Sequence, residues 1–369
     1  MTNATKYYIW LSMALGYGTP KIKALRDLYP DIGELYNGGE PEWRLSGVLN
    51  QKDIAALHAV KMEQAFDVIM RCNALGINIL SLDDAAYPER LKEIFDPPAV
   101  LYIKGKMPDL SRRLVIGMVG TRNATAYGKM TSHVISGALA KLGVVIVSGG
   151  AVGIDSLSHT AALETGGITL CVLGCGINYP YNMGNAKLRA DIAKRGAVIS
   201  EYPPDYPPGR FTFPVRNRII SGLCNGVVIV EAGEKSGSLI TARCAMEQGR
   251  DVFAVMGNIT SPYSKGTNAL IKDGAVPVTE FSDITSYYSQ FSIEGESVDL
   301  VKPIPQHKTE IDVSEEAKRV YACVEADEKH IDVITSESGL PVREVLQALT
   351  ELELEGLIQA EKGRMYRLS

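Results

Sequence analysis

The chain has 369 residues, of which 46% are hydrophobic and 22% are charged, a composition typical of globular proteins with buried cores. This length favours two or three domains. No apolar run approaches the roughly 20 residues that a membrane-spanning helix needs, and the first residues lack the pattern of a signal peptide. Because the six cysteines form no C-x-x-C pair, we expect reduced thiols in a cytoplasmic protein.

The net charge of −5 is distributed unevenly along the chain. Residues 313–369 contain twelve acidic and seven basic residues, so this segment accounts for the entire net charge of −5. Residues 1–312 are therefore neutral overall. Within the neutral part, residues 110–154 and 206–230 contain no acidic side chain but several arginines and lysines. Two such segments in one domain would suit a polyanion, unless acidic side chains from other segments neutralise them in the fold.

The first 80 residues are predicted to form short helices that are joined by turns. Gly16 and Gly18 precede Thr19 and Pro20, after which apolar residues recur at helical spacing. This pattern is typical of a helix-hairpin-helix, whose turn could present amides to a phosphate. A purely structural hairpin fits the same residues.

Residues 81–282 are predicted to form the next domain. Their sequence pattern differs from that of the first 80 residues, because short apolar strands alternate with helices. Such alternation predicts an α/β fold, with a doubly wound, Rossmann-like parallel sheet that helices cover on both faces. The predicted strands are 114–119, 144–148, 169–173, 197–200, 227–231, 252–255 and 276–278. The predicted helices are 127–141, 156–164, 185–195, 238–248 and 267–272.

Residues 283–312 have no sustained periodicity and are predicted to be a linker. Residues 313–369 then show three helices and a hairpin that turns at Lys362 and Gly363, the order of a winged helix. The third helix is rich in glutamate, which favours a protein contact or a regulatory role over duplex DNA. Basic residues in the hairpin, including Arg364 and Arg367, keep DNA binding as the alternative.

Glycine and serine turns follow several predicted strands, where doubly wound sheets place their binding sites. Their backbone amides and the adjoining helix N-termini can hold an anion. Asp155 is interpreted as a helix N-cap rather than a catalytic acid, and His159 as structural. The predicted anion-binding residues of these turns are Gly120, Thr121, Arg122, Gly149, Gly150, Ser236, Gly237 and Ser238.

One further segment combines arginines with phenylalanines, as single-stranded nucleic acid requires for its phosphates and bases. One of its rings, Phe211 or Phe213, could instead belong to the core. The turn at Arg122 lacks the dinucleotide fingerprint, so we expect no nucleotide cofactor. Cys171 and Cys175, the one closely spaced cysteine pair, lack histidine partners, so we expect no metal. The candidate DNA-binding residues of this segment are Arg210, Phe213, Arg216, Asn217 and Arg218.

Several ordered motifs carry a resemblance to a known family. They include G-T-R-N-A-T-x-Y-G, S-G-G-A-x-G-I-D, F-P-x-R-N-R-I-I-S-G-L and V-E-A-x-x-x-S-G-S-L-I-T-A. In this order they resemble the bacterial DNA-processing family DprA, also called Smf. The flanking regions are similar to that family's sterile-alpha-motif-like and winged-helix domains, although less closely.

The resemblance implies a non-enzymatic protein that protects incoming single-stranded DNA and loads the RecA recombinase on it during natural transformation. It also implies homodimers formed through the Rossmann-like domain. The family's DNA pocket would use Arg122, Arg210 and Phe213, whereas some of the neighbouring motif residues would hold the fold together. The alternative is a Rossmann-like nucleoside-monophosphate phosphoribohydrolase, but the turn at residues 236–241 lacks the glutamate that such an enzyme uses.

Overall fold

The computed structural model describes residues 4–288, 291, 313–324, 329–361 and 363–368. Contacts divide the chain into two compact units, Met1–Val298 and Asp299–Ser369. The predicted N-terminal helices and the sheet therefore belong to one unit. Helix α13 (Ser282–Tyr287) occupies the start of the predicted linker, and most of the remaining linker lies outside the described residues.

Helices fill the first quarter of the chain, as predicted. Helix α1 provides the central apolar surface, because Tyr8, Ile9, Trp10 and Leu11 are all buried against the surrounding helices. Gly76 ends the last helix in the left-handed conformation that glycine adopts without strain. These helices are α1 (Thr5–Leu15), α2 (Lys21–Leu28), α3 (Ile32–Leu45), α4 (Gln51–Ala59) and α5 (Met62–Leu75).

A nine-stranded sheet forms the centre of the first unit, in the order β1-β2-β6-β5-β4-β3-β7-β8-β9. The seven strands from β6 to β9 in this order are parallel, and β1 and β2 add an antiparallel edge. The strands are β1 (Asn78–Ser81), β2 (Val100–Gly105), β3 (Val115–Val119), β4 (Val145–Ser148), β5 (Thr169–Leu173), β6 (Ala197–Ser200), β7 (Gly226–Ile229), β8 (Asp251–Val255) and β9 (Val276–Val278).

The remaining helices of this unit connect the strands and cover the sheet. The α/β prediction is confirmed, and all seven predicted strands are present with bounds that shift by at most two residues. The sequence did not predict the antiparallel edge or helix α10 (Thr212–Leu223), which begins within the arginine–phenylalanine segment and contains its residues from Phe213 onward. These helices are α6 (Glu89–Lys92), α7 (Ala126–Lys141), α8 (Ile154–Glu164), α9 (Ala186–Arg195), α10 (Thr212–Leu223), α11 (Ser238–Glu247) and α12 (Lys265–Lys272).

The strand order reverses between β3 and β7. From β3 the chain moves outward in one direction through β4, β5 and β6, and it then crosses back to place β7 on the other side of β3. In open parallel sheets, the loops that leave the strands at such a switch point diverge and leave a crevice at the carboxyl ends. The turns after β3 and β7 therefore face each other across this crevice.

The glycine turn between α1 and α2 packs against the sheet domain. The Gly18 amide donates to the Glu201 carboxylate at 3.3 Å, and a β-carbon at Gly18 would lie 2.7 Å from Val215. The prediction that this turn presents its amides to a phosphate is therefore wrong for Gly18. Its amide and the space around it serve an internal contact, as the structural alternative expects.

The second unit is a winged helix, as predicted. Its helices surround an apolar core that contains Ile334, Val345 and Leu349, and β10, β12 and β11 form a small antiparallel sheet in that order. Its elements are α14 (Glu315–Tyr321), β10 (Lys329–His330), α15 (Ile331–Ser338), α16 (Val342–Leu354), β11 (Ile358–Glu361) and β12 (Met365–Leu368).

One of the glutamates on α16 has a structural role. Glu351 accepts hydrogen bonds from the amide and hydroxyl of Ser314, which caps α14, at 2.7 and 2.6 Å. Not every acidic residue of this helix is therefore available to a partner. Among the described residues, no helix is long and apolar enough to cross a bilayer.

Candidate nucleic-acid interface

A cavity of about 500 Å³ opens at the switch point of the sheet. It brings together residues from the turns after β3 and β7 and from the start of α10, although these segments lie far apart in sequence. Most of the predicted site residues line it. They are Gly120, Thr121, Arg122, Arg210, Phe213, Arg216, Asn217, Ser236, Gly237 and Ser238.

Arg122 and Arg210 are the two exposed arginines of this cavity. Neither forms an ion pair within the part of the chain that the structure describes. The Arg122 guanidinium lies 5.8 Å from the centre of the Phe213 ring, within the range of a cation–π contact. Two guanidinium groups without carboxylate partners give the cavity a positive charge that a phosphate can neutralise.

The turn that carries Arg122 is fixed by buried contacts with the end of β7. The Thr121 amide donates to the Glu231 carbonyl at 2.8 Å. The buried Glu231 carboxylate accepts from the amide and hydroxyl of Thr125 at 2.9 and 2.6 Å, and Thr125 caps α7. The loop before α8 closes on the same turn at Gly153, where a β-carbon would lie 2.5 Å from the Arg122 carbonyl. The Arg122 backbone is thus held in place before any ligand binds.

Phe213 and Phe211 have different environments, although only one residue separates them. The Phe213 ring is half-buried, lies 5.4 Å from the Tyr181 ring and packs on Gly174, where a β-carbon would lie 2.8 Å from it. Phe211 is 73% exposed. The alternative that one of these two rings belongs to the core is therefore partly correct for Phe213. Its ring is half-buried, but it also lines the cavity.

Arg216 is a buried arginine that ties the turn at Gly149 to strand β5. It donates to the carbonyls of Gly149, at 2.7 Å, and of Val172, and its Nε donates to the Asn217 side chain. Burial lowers the pKa of its guanidinium, while the nearby Asp155 opposes that shift. Gly149 and Gly150 are not among the residues that line the cavity. The turn at Gly149 and Gly150 therefore supports the cavity through Arg216, while these two glycines do not line it.

Arg218 does not reach the cavity, because it points toward the opposite side of α10. Its side chain is 6% exposed and donates twice to Glu201, at 2.6 and 2.8 Å, while its Nε lies 3.1 Å from Asp96. Burial raises the pKa of Glu201, and Arg218 opposes that shift. Arg218, one of the predicted DNA-binding residues, thus lies outside the cavity with its guanidinium between two carboxylates, so we leave it out of the proposed contacts.

Asp155 differs from its predicted role. Gly153, not Asp155, is the N-cap of α8, and the Asp155 carboxylate accepts from the Ala151 amide at 3.4 Å. It also lines the cavity. Burial raises the pKa of Asp155, and Arg216 opposes this shift. The cavity therefore contains one buried acid that faces a buried cation.

His159 is structural, as predicted. It is fully buried, and its Nδ1 lies 2.6 Å from the Thr169 hydroxyl. Burial lowers its pKa to about 3, and the positive charge of Arg216 adds to this effect. His159 is therefore neutral at physiological pH.

The turn after β7 offers a helix N-terminus to an anion. Helix α11 begins at Ser238 with Gly237 as its N-cap, and the hydroxyls of Ser236 and Ser238 lie 2.8 Å apart. Thr241, one helical turn later, also lines the cavity. The sequence reading missed Thr241, although the spacing of three residues from Ser238 places both on one helix face.

Metal chemistry receives no support from the side chains. Across the described ranges, no group of three or more histidine, cysteine, aspartate or glutamate residues could hold a metal ion. All six cysteines are free, and four of them are buried. The cavity offers cations, amides and hydroxyls, which are ligands for phosphates.

The fold and the cavity together define a Rossmann-like protein with a cavity lined by arginines, amides and hydroxyls at the switch point of its sheet. The family model described as DNA recombination-mediator protein A matches residues 78–289, and the model for the DprA winged helix domain matches residues 305–364. The chain therefore belongs to the DprA family, which confirms the resemblance of its motifs.

Curated relatives and solved structures agree with this assignment. Protein Smf of Escherichia coli is 40% identical to this chain, and the match covers 79% of this chain and 77% of the Escherichia coli protein. DNA processing protein DprA of Bacillus subtilis is 47% identical, and the match covers 57% of this chain and 70% of the Bacillus subtilis protein. The structure of DprA from Streptococcus pneumoniae has a TM-score of 0.67 at 34% identity and covers 80% of this chain and 100% of its own. A structure of DNA processing protein A from Helicobacter pylori, which describes how that protein binds single-stranded DNA, has a TM-score of 0.53 at 31% identity. The match covers 58% of this chain and 97% of the Helicobacter pylori chain.

Proposed function

We propose that this chain binds single-stranded DNA in the switch-point cavity and acts as a non-enzymatic DNA-processing protein. The observation that carries the proposal is that Arg122, Arg210 and Phe213 line one cavity, where neither guanidinium group pairs with a carboxylate among the residues that the structure describes. Guanidinium groups bind phosphates, and an aromatic ring stacks on a base. The proposed contacts also include the amides and hydroxyls of the turn at Ser236–Ser238.

The shape and chemistry of the cavity favour an unpaired strand over a duplex. The Phe213 ring is half-buried, so a base must leave its stack before its face can reach the ring. Contacts to phosphates and base faces carry little sequence information, because sequence is read at the base edges. We therefore expect strong dependence on salt and only slight sequence preference.

The proposed cellular role follows from family membership. We propose that the protein protects incoming single-stranded DNA and loads RecA on it during natural transformation, that it works in the cytoplasm, and that it dimerises through the Rossmann-like domain. RecA loading can be measured as the rate of RecA ATP hydrolysis on DNA that is already covered by single-strand-binding protein. The proposal predicts that this chain shortens the lag before hydrolysis, whereas an unchanged lag would contradict it.

The direct test compares the binding of single- and double-stranded oligonucleotides by fluorescence anisotropy. We expect wild type to prefer the single strand and Arg122→Ala to weaken that binding. Arg112→Ala is the matched control, because it removes the same charge from an exposed residue at the amino end of β3, whereas Arg122 follows its carboxyl end. Equal loss in both variants, or preference for the duplex, would contradict the proposal.

The phosphoribohydrolase alternative is not favoured. The turn at Ser236–Ser238 and the following residues to Thr241 carry no acid. Asp155 is buried and faces Arg216, so it is poorly placed to accept a proton from a bound nucleotide. Incubation with nucleoside monophosphates should release no free base, and turnover that is lost in Asp155→Asn would restore the enzymatic alternative.

A further inference from the structure

Phe211 is a large apolar side chain that the fold leaves in solvent. Its ring is 73% exposed, and it belongs to none of the hydrophobic clusters formed by the described residues. An exposed ring forgoes the favourable transfer of apolar surface out of water. Within the described part of the chain, the Phe211 ring thus contributes to no hydrophobic core.

The neighbours of Phe211 point to a ligand rather than to the core. The Arg210 guanidinium lies 5.9 Å from the Phe211 ring, and Arg210 itself lines the cavity. The same combination occurs inside the cavity, where Arg122 lies 5.8 Å from Phe213. Two arginine–phenylalanine pairs thus follow each other from the cavity to its exterior.

The backbone beneath Phe211 is fixed without any help from its ring. The Gly209 amide donates to the Thr212 hydroxyl at 3.0 Å, and the Thr212 amide donates to the Gly209 carbonyl at 3.2 Å. The Phe211 carbonyl accepts from the Val215 amide in the first turn of α10. The ring is therefore presented from a rigid segment, and its replacement leaves every one of these bonds intact.

We propose that Phe211 is an outer stacking site for a second base of the bound strand. One base lies in the cavity against Phe213, the next base lies on Phe211 outside it, and Arg210 binds the phosphate between them. The proposal deepens the function proposed above and rests on it. The ligand is an unpaired polynucleotide of at least two nucleotides, which a free mononucleotide cannot replace.

The first test uses tryptophan fluorescence at this position. The natural tryptophans, Trp10 and Trp43, are only 1% and 6% exposed, so Phe211→Trp adds a reporter in solvent. Titration with a twenty-residue oligothymidylate should quench this added fluorescence, and thymidine monophosphate should leave it unchanged. Phe66→Trp is the control, because Phe66 is also exposed but lies on α5, which lines no part of the cavity. Absence of quenching while anisotropy shows binding would overturn the proposal.

The second test measures affinity after removal of the ring. We expect Phe211→Ala to weaken binding of the same oligonucleotide about 5- to 150-fold, which corresponds to roughly 1–3 kcal/mol for one stacked base. Phe66→Ala should bind like wild type. If wild type itself fails to bind, the proposed function fails. If wild type binds and Phe211→Ala matches it, only the outer site fails.

Discussion

Replacing Arg122 with alanine tests the electrostatic part of the proposed site. The exposed guanidinium makes no ion pair among the described residues, and its turn is held by Thr121 and Glu231, so we expect the free energy of unfolding to change by less than about 0.5 kcal/mol. A hydrogen bond to a charged group contributes about 1.5–3 kcal/mol, which predicts a loss of affinity of roughly 10- to 150-fold. Single-strand binding should also lose about 0.7 from its logarithmic salt slope for each phosphate contact removed.

The assay is fluorescence anisotropy with a labelled oligothymidylate at five salt concentrations between about 50 and 200 mM. One phosphate contact changes affinity about 2.6-fold over this range, so the wild-type and variant curves should converge as salt rises. Circular dichroism and urea unfolding confirm that both proteins are folded. An unchanged slope in Arg122→Ala, or an equal change in Arg112→Ala, would refute the assignment of a phosphate to Arg122.

Three further changes separate stacking, stability and protonation. Phe213→Ala should weaken single-strand binding by about 1–3 kcal/mol with an unchanged salt slope, since stacking releases no counterions; a changed slope would contradict this. Arg218→Ala should cost about 3–5 kcal/mol in urea unfolding, because it leaves Glu201 buried without its cation; a cost below 1 kcal/mol would contradict this. His159 has a pKa of about 3 in the fold against 6.5 for the free side chain, so stability should be full above pH 6.5 and fall as the pH is lowered toward 3. His159→Gln should flatten this dependence of stability on pH, whereas His133→Gln, at an exposed histidine, should not. Equal stability–pH curves for the two variants would refute the attribution of the dependence to His159.

The sequence predicted the parallel part of the sheet because buried parallel strands are continuous apolar runs between helices. It missed β1 and β2, which are separated only by the four-residue helix α6 and pair antiparallel at the edge. It also missed α10, since two arginines, a proline and a phenylalanine occur among its first seven residues and obscure the apolar face. In each case, tertiary contacts supply the burial that the local pattern does not show.

For the site, local pattern and chain order were enough to show which residue types gather at the strand ends. Chain order and the doubly wound topology bring the turns after β3 and β7 together, so Arg122 and the serine turn were found without coordinates. The motifs likewise determined the family. These conclusions depend on local pattern and topology, both of which the order of residues encodes.

Which arginines are open to a ligand depends on tertiary contacts. Arg216 and Arg218 lie on one helix two residues apart, so they point to different sides: Arg216 lines the cavity but is bound to the carbonyls of Gly149 and Val172, and Arg218 meets Glu201 and Asp96. A guanidinium binds a phosphate only when no carboxylate or carbonyl already occupies it, and those partners come from distant segments of the chain. The difference in exposure between Phe213 and Phe211 also depends on tertiary contacts, because the residues that fold around a ring determine how far it is buried.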